Sequence, residues 1–236
     1  MLSQRINLAA IFRWSDRLGL NEGICNHYSW MVDEQHFLIN PFGVHWSELR
    51  ARDLLLVNEG GQVVEGVGQV EPTALFIHWR IHRTLPRARC VLHTHMPYAT
   101  ALTSVESGRL EMCCQNALRF YNDIAYDDNY QGLALDASEG DRICAALGGK
   151  RVVFLACHGV VVVGPGIATA FDDLYYLERA CQIQVLAQST HRPLRIVDDN
   201  ICRKTYAQIM QDQSFADHHL TAIRRILDRE SPGYAD

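Results

Sequence analysis

The 236-residue sequence has no C-x-x-C pair among its eight cysteines, which excludes a zinc ribbon or a thioredoxin-like motif. Cys25, Cys90, Cys113, Cys114, Cys144, Cys157, Cys181 and Cys202 sit mostly among apolar neighbours, and in a chain with no export signal they read as reduced, buried thiols. A surplus of positive charge is also missing. Lys and Arg number 22 against 27 Asp and Glu, a formal net charge of -5, and the basic residues are scattered. That argues against a nucleic-acid partner, which would need an offset to phosphate charge. Neither G-K-[ST] nor G-x-G-x-x-G completes Gly164-Pro165-Gly166, so this is a turn and not a phosphate loop. The N-terminal stretch MLSQRINLAAIFRWSDRLGL is amphipathic and broken by charge; it has neither the apolar core of a signal peptide nor the length of a membrane span. The expectation is a cytoplasmic protein without a membrane partner.

What is present is an ordinary globular composition, 48% hydrophobic and 21% charged, in a chain long enough to bury a core. Helical spacing runs over about 5 to 19, ended by the Gly19-to-Gly23 stretch. Tyr28 to Val32 and Phe37 to Ile39 read as a hairpin followed by the turn Asn40-Pro41-Phe42-Gly43. Leu54 to Val57 and Gln62 to Glu65 form a second hairpin around Asn58-Glu59-Gly60-Gly61. A helix after Pro72 through Thr84, a strand from Cys90 to His95 and a short helix from Pro97 through about Thr103 follow. Ser138 to Leu147 is a helix, Val152 to Cys157 and Val160 to Val163 are strands, and Ile167 to Gln188 is a long helix without glycine or proline. The remainder, through His218 and His219, is partly helical. No linker separates two halves, so the reading is one α/β domain over 1–236 with a mixed, mainly antiparallel sheet.

His93 and His95 are two apart at a strand end and so face the same way, and His158 follows another buried strand and precedes Gly159. Three strand-end imidazoles with a coordination position to spare suit a catalytic metal site. Taken alone, His-x-His fits two polar side chains on a strand edge equally well. His78 and His82 are four apart on a helix, but no glutamate follows the first, so a metalloprotease pair fails on its base and a structural role is expected. His36, His45 and His191 read as surface side chains.

Several ordered segments resemble the class II aldolase and adducin family. Gly19-Leu20-Asn21-Glu22-Gly23 with Asn26-His27-Tyr28-Ser29 is similar to its first glycine-containing loop, and Phe37 to Gly43 to its second. Ile77-His78 with Ile81-His82, through Cys90-Val91-Leu92-His93-Thr94-His95, resembles the helix and strand leading into its metal site. Ala156-Cys157-His158-Gly159-Val160 resembles its third ligand segment, and Ala170 to Gln188 its closing helix. The likeness spans about 5 to 190 and leaves 191–236 as a C-terminal helical extension. It implies a three-layer α/β/α fold, a homotetramer with sites between subunits, and a divalent metal on His93, His95 and His158, zinc first, with manganese, iron or cobalt as alternatives. Asn26, His27, Asn40, Gly43 and Thr73 are the implied substrate-binding residues. Gln115-Asn116-Ala117 with Phe120-Tyr121-Asn122-Asp123, and Tyr126, look more like the adducin-type branch.

The sequence departs from the family at one chemical position. The phosphate aldolases carry Ser-Ser-Glu, with a proton-moving glutamate, where this chain has Pro72-Thr73-Ala74. Glu71 is either its replacement or a helix-start charge. His27 stands where the aldolases use asparagine, and imidazole can shuttle a proton. Tyr121 is a further catalytic candidate, reaching a site from a neighbouring subunit. A weakened phosphate cradle favours a small carbonyl or carboxylate substrate. The expectation is a lyase acting by aldol cleavage or decarboxylation through a metal-stabilised enolate. The alternatives are an epimerase or oxygenase on the same metal, or a non-catalytic adducin-like module.

Overall fold

Along residues 90–94 every side chain is buried, Val91 and His93 on one face and Cys90, Leu92 and Thr94 on the other. A strand buried on both faces needs a layer on each side. The computed structural model, which describes residues 1–132, 137–212 and 214–236, supplies both. Helix α1 (Leu2–Arg17) precedes strands β1 (His27–Met31), β2 (His36–Ile39), β3 (Leu55–Asn58) and β4 (Val63–Glu65). Then come α2 (Pro72–Thr84), β5 (Cys90–Thr94), α3 (Pro97–Thr103), α4 (Gln115–Leu118), β6 (Ile124–Asp127), α5 (Ala137–Leu147), β7 (Val152–Leu155) and β8 (Gly159–Gly164). The chain closes with α6 (Ile167–Gln188), α7 (Asp199–Gln211) and α8 (Ser214–Glu230).

The strands form one eight-stranded sheet in the order β4-β3-β2-β1-β5-β8-β7-β6. Only β6 and β7 run parallel; the other neighbours are antiparallel. Tyr28, Leu92, Val160 and Val162 pack on one face with Leu8 and Phe12 of α1, Ala99 of α3, Phe171 and Leu174 of α6 and Leu220 of α8. On the other, Val91, Val153, Val161 and Val163 meet Ile77 and Ile81 of α2 and Ile143 and Leu147 of α5. This is a three-layer α/β/α fold with a mixed, mainly antiparallel sheet. Each fully buried valine or leucine contributes roughly 1.5–3 kcal/mol, so β5, β7 and β8, with Val91, Leu92, Val152, Val153 and Val160 to Val163 buried, are firmly held.

Helix α2 starts where Pro72 supplies a helix-compatible φ and Glu71 caps it, its carboxylate accepting the Ala74 N–H at 2.8 Å. It stops at Thr84, because Leu85 precedes Pro86 and proline disfavours helix in the residue before it. The segment 191–236 lies on the outer layer, with α8 against α1 and α6. Arg119 bridges Asp172 and Asp173, Arg151 bridges Asp123 and Asp173, and His219 of α8 meets Asp172 at 2.8 Å, so paired charges tie these helices to one end of the sheet. Among the described residues no helix is long and apolar enough to cross a membrane.

Candidate metal centre

Because β5 runs antiparallel to both β1 and β8, its end lies beside their starts. His93 is paired with His27 on one side and Val161 on the other. His95 lies just past the end of β5 and His158 just before β8. Cys157, at φ 55, takes the left-handed turn that brings His158 back over the sheet end. The ring centroids stand 5.1 Å apart for His93 and His95, and 4.8 Å for each of these with His158. One nitrogen from each lies within 4.8 Å of the others. A tetrahedral imidazole shell needs nitrogens roughly 3.3 Å apart.

The electrostatics fit a cation. His93 Nδ1 donates to the Val160 carbonyl at 3.0 Å, which leaves Nε2 bare for a metal. His95 Nε2 is buried with no hydrogen-bond partner, a cost unless something meets it. Burial pushes the pKa of His93 well below its ordinary value, lowers that of His95, and brings His158 down to about 4. All three rings are therefore neutral near pH 7, the state that binds metal. Three neutral imidazoles with room for a further ligand are a donor set suited to a divalent cation.

Gly159 is fitted to this corner. A Cβ there would lie 2.4 Å from the Thr94 carbonyl oxygen and 2.9 Å from His95 Cδ2. Gly159→Ala is therefore expected to cost about 1–3 kcal/mol by overpacking and to displace His95. Thermal unfolding and metal titration of the variant check both effects.

The other expected site residues fall into three groups. Asn26 and His27 adjoin the histidines. Asn26 Oδ1 accepts from the backbone of Glu22 at 2.7 Å and of His95 at 3.4 Å, which fixes the amide orientation. Its Nδ2 is buried without a partner. His27 Nε2 stands 3.9 Å from Glu71 Oε2, so Glu71 both caps α2 and faces His27. Thr73 donates its hydroxyl to the same Glu71 oxygen.

Asn40 and Gly43 follow the end of β2. Asn40 accepts from Tyr28 N–H at 3.3 Å and donates to the Asn26 carbonyl at 3.2 Å, holding the chain that carries Asn26 and His27. Gly43 turns with φ 84. Tyr121 is not brought to the histidines within one subunit. It precedes β6, whose start pairs with the start of β7, whereas His158 follows the end of β7. Its hydroxyl bonds Asp199 instead. Strand direction put it at the opposite end.

Sequence reasoning missed a buried cluster behind His27. His27 Nδ1 meets His78 Nε2 at 2.7 Å, His78 Nδ1 meets Ser29 Oγ at 2.5 Å, Ser29 Oγ meets His82 Nε2 at 2.7 Å, and His82 Nδ1 meets the Ala88 carbonyl at 2.6 Å. A signal existed. His27 and Ser29 share a strand face and His78 and His82 a helix face, both with polar groups where an apolar core was expected.

Residues 6–185 match the family described as Class II Aldolase and Adducin N-terminal domain. An aldolase II superfamily protein from Pseudomonas syringae has a similar structure, with a TM-score of 0.92, 31% identity and coverage of 100% of this chain and 96% of that one. L-fuculose 1-phosphate aldolase from Glaciozyma antarctica gives a TM-score of 0.87 at 26% identity, over 97% of this chain and 91% of its own. Alpha-adducin of Mus musculus is 36% identical over 190 residues, 77% of this chain and 25% of that much longer protein.

Proposed function

The chain belongs to the class II aldolase and adducin family, and from that premise we propose that it is a divalent-metal-dependent lyase. It would cleave a C–C bond next to a carbonyl or carboxylate in a small hydroxy- or aromatic acid, by aldol cleavage or decarboxylation. The observation that carries this reading is the buried, partnerless His95 Nε2 beside His93 and His158. These three residues would hold the cation, zinc first among the candidates. When bound, the cation supplies Lewis acidity that stabilises the negative charge left by C–C cleavage.

The chain's own side chains bind and move protons. Asn26 Nδ2, a buried donor without a partner, is suited to a substrate oxygen. The position of the phosphate aldolases' glutamate is the fully buried methyl of Ala74. The carboxylate of Glu71 stands 3.9 Å from His27 Nε2, so His27, with Glu71 beside its Nε2, would take over proton handling. Decarboxylation tolerates the lost glutamate better than aldol cleavage does, because departure of CO2 itself delivers the carbanion and only reprotonation remains. A soluble homotetramer is the expected assembly, to be checked by light scattering.

Protein purified without chelator is expected to carry about one divalent ion per chain and to release CO2 or an aldehyde from one member of a panel of hydroxy-acids and aromatic acids. If metal-loaded protein releases neither, the lyase reading fails. The 36% identity to alpha-adducin favours a second reading, a non-catalytic interaction module. A well-folded chain that takes up no ion from excess zinc or manganese supports that one.

A further inference from the structure

The hydrogen bonds behind His27 run in one direction only. A backbone carbonyl can only accept, so His82 Nδ1, 2.6 Å from the Ala88 oxygen, must carry a proton. His82 is 2% exposed, and burial brings its pKa down to about 4, so it holds one proton and its Nε2 is bare. Ser29 must then donate its hydroxyl to that Nε2 and accept from His78 Nδ1–H. His78, fully buried and neutral, is left with a bare Nε2, which accepts from His27 Nδ1–H. The reverse polarity would set the lone pair of His82 Nδ1 against that of the Ala88 oxygen, or would place a doubly protonated ring in the core.

We propose that His78, Ser29 and His82 are positioning residues that hold His27, whose ring centroid lies 5.0 Å from that of His93, in one tautomer, with its proton on Nδ1 and an unprotonated Nε2. The tautomer does not depend on the reaction. Its use rests on the proposed function: Nε2 is the acceptor for a hydroxyl of the bound hydroxy-acid, a role a protonated Nε2 cannot fill. Glu71 Oε2, 3.9 Å away, is beyond hydrogen-bond reach of that nitrogen and leaves it open. The Ala88 carbonyl, just ahead of β5, thus sets which end of His27 is basic.

Nitrogen-resolved NMR of the full chain tests this, with the His27 signals assigned from a His27→Gln variant. The expected result is a pyridine-type Nε2 and a pyrrole-type Nδ1 for His27, in protein with and without added zinc. Ser29→Ala removes the hydroxyl that hydrogen-bonds both His82 and His78, so the His27 signals should move toward the average of the two tautomers, and Ser29→Thr should restore them. A protonated Nε2 in the unmodified protein overturns the proposal without reliance on any variant, as does a Ser29→Ala spectrum identical to the parent. Once a substrate is in hand, Ser29→Ala should lower kcat/KM about ten-fold, with recovery in Ser29→Thr. A chain that turns over no substrate yet keeps the expected tautomer ends the lyase reading and leaves this one standing.

Discussion

Replacing His158 with alanine is expected to abolish tight binding of a divalent cation while the chain stays folded. His158 is half-buried and precedes β8 on a turn, so its removal opens no large core cavity, whereas His93 is sealed at 2% exposure. Losing one of three ligands should weaken binding by more than the roughly 10–100-fold that loss of an outer partner costs. The readout is the thermal midpoint. A cation present at about 1,000 times its dissociation constant stabilises the folded state by about 4 kcal/mol. For a chain of this size that is a rise of roughly 8–16 °C. The parent protein should show this rise and His158→Ala should show almost none, with both midpoints similar under chelator. An equal rise in the two proteins would remove His158 from the metal shell.

The second large effect is acid lability of the metal-free chain. His27, His78, His82, His93, His95 and His158 all have pKa values lowered from 6.5, in each case first by burial. In the unfolded chain these rings take up protons below about pH 6.5; in the folded chain they resist. The unfolded state therefore binds more protons in this window, and stability is full above pH 6.5 and falls as pH drops toward the folded values, about 4 for His82 and His158. His82 alone, fully buried, should account for roughly 3 kcal/mol by pH 4. Urea unfolding between pH 6.5 and 5, above the range where carboxylates dominate, should show a slope of at least two protons, about 3 kcal/mol per pH unit. A slope below one proton would mean that these rings are already protonated or hydrated in the native state. Saturating zinc should raise the curve and carry its slope to lower pH, since the metal keeps the folded ligands unprotonated while the unfolded chain still takes up protons.

Much of the frame was legible in the sequence because it rests on local chemistry. Pro72 and Pro86 bracket α2, Pro97 opens α3, and the run without glycine or proline gives α6 its bounds. The reading of Cys90 to His95 as a strand agrees with β5 to within one residue. The misses have physical reasons. Ile124–Asp127 is a short edge strand that pairs only with β7, so its four residues carry no clear period. Gln115–Leu118 is a single helical turn. Strand β7 stops at Leu155, two residues earlier than its apolar run, because the Cys157 turn breaks the pairing. At the site, the shared facing of His93 and His95 followed from strand parity. The bonds linking His27 and Ser29 to His78 and His82 did not, since they need the register of β1 on β5 and the seat of α2 above it.

The position of His93 in the middle of the sheet has a consequence for how a cation comes and goes. Its strand is clasped by neighbours on both edges and covered above and below, the kind of region where amide hydrogens exchange last. His95 and His158 hang from turns just outside that frame. Loading and stripping can then proceed by swivelling two outer rings while the inner one stays anchored. A strong chelator should empty such a protein in minutes, long before its backbone amides at 91–93 have traded their hydrogens for deuterium.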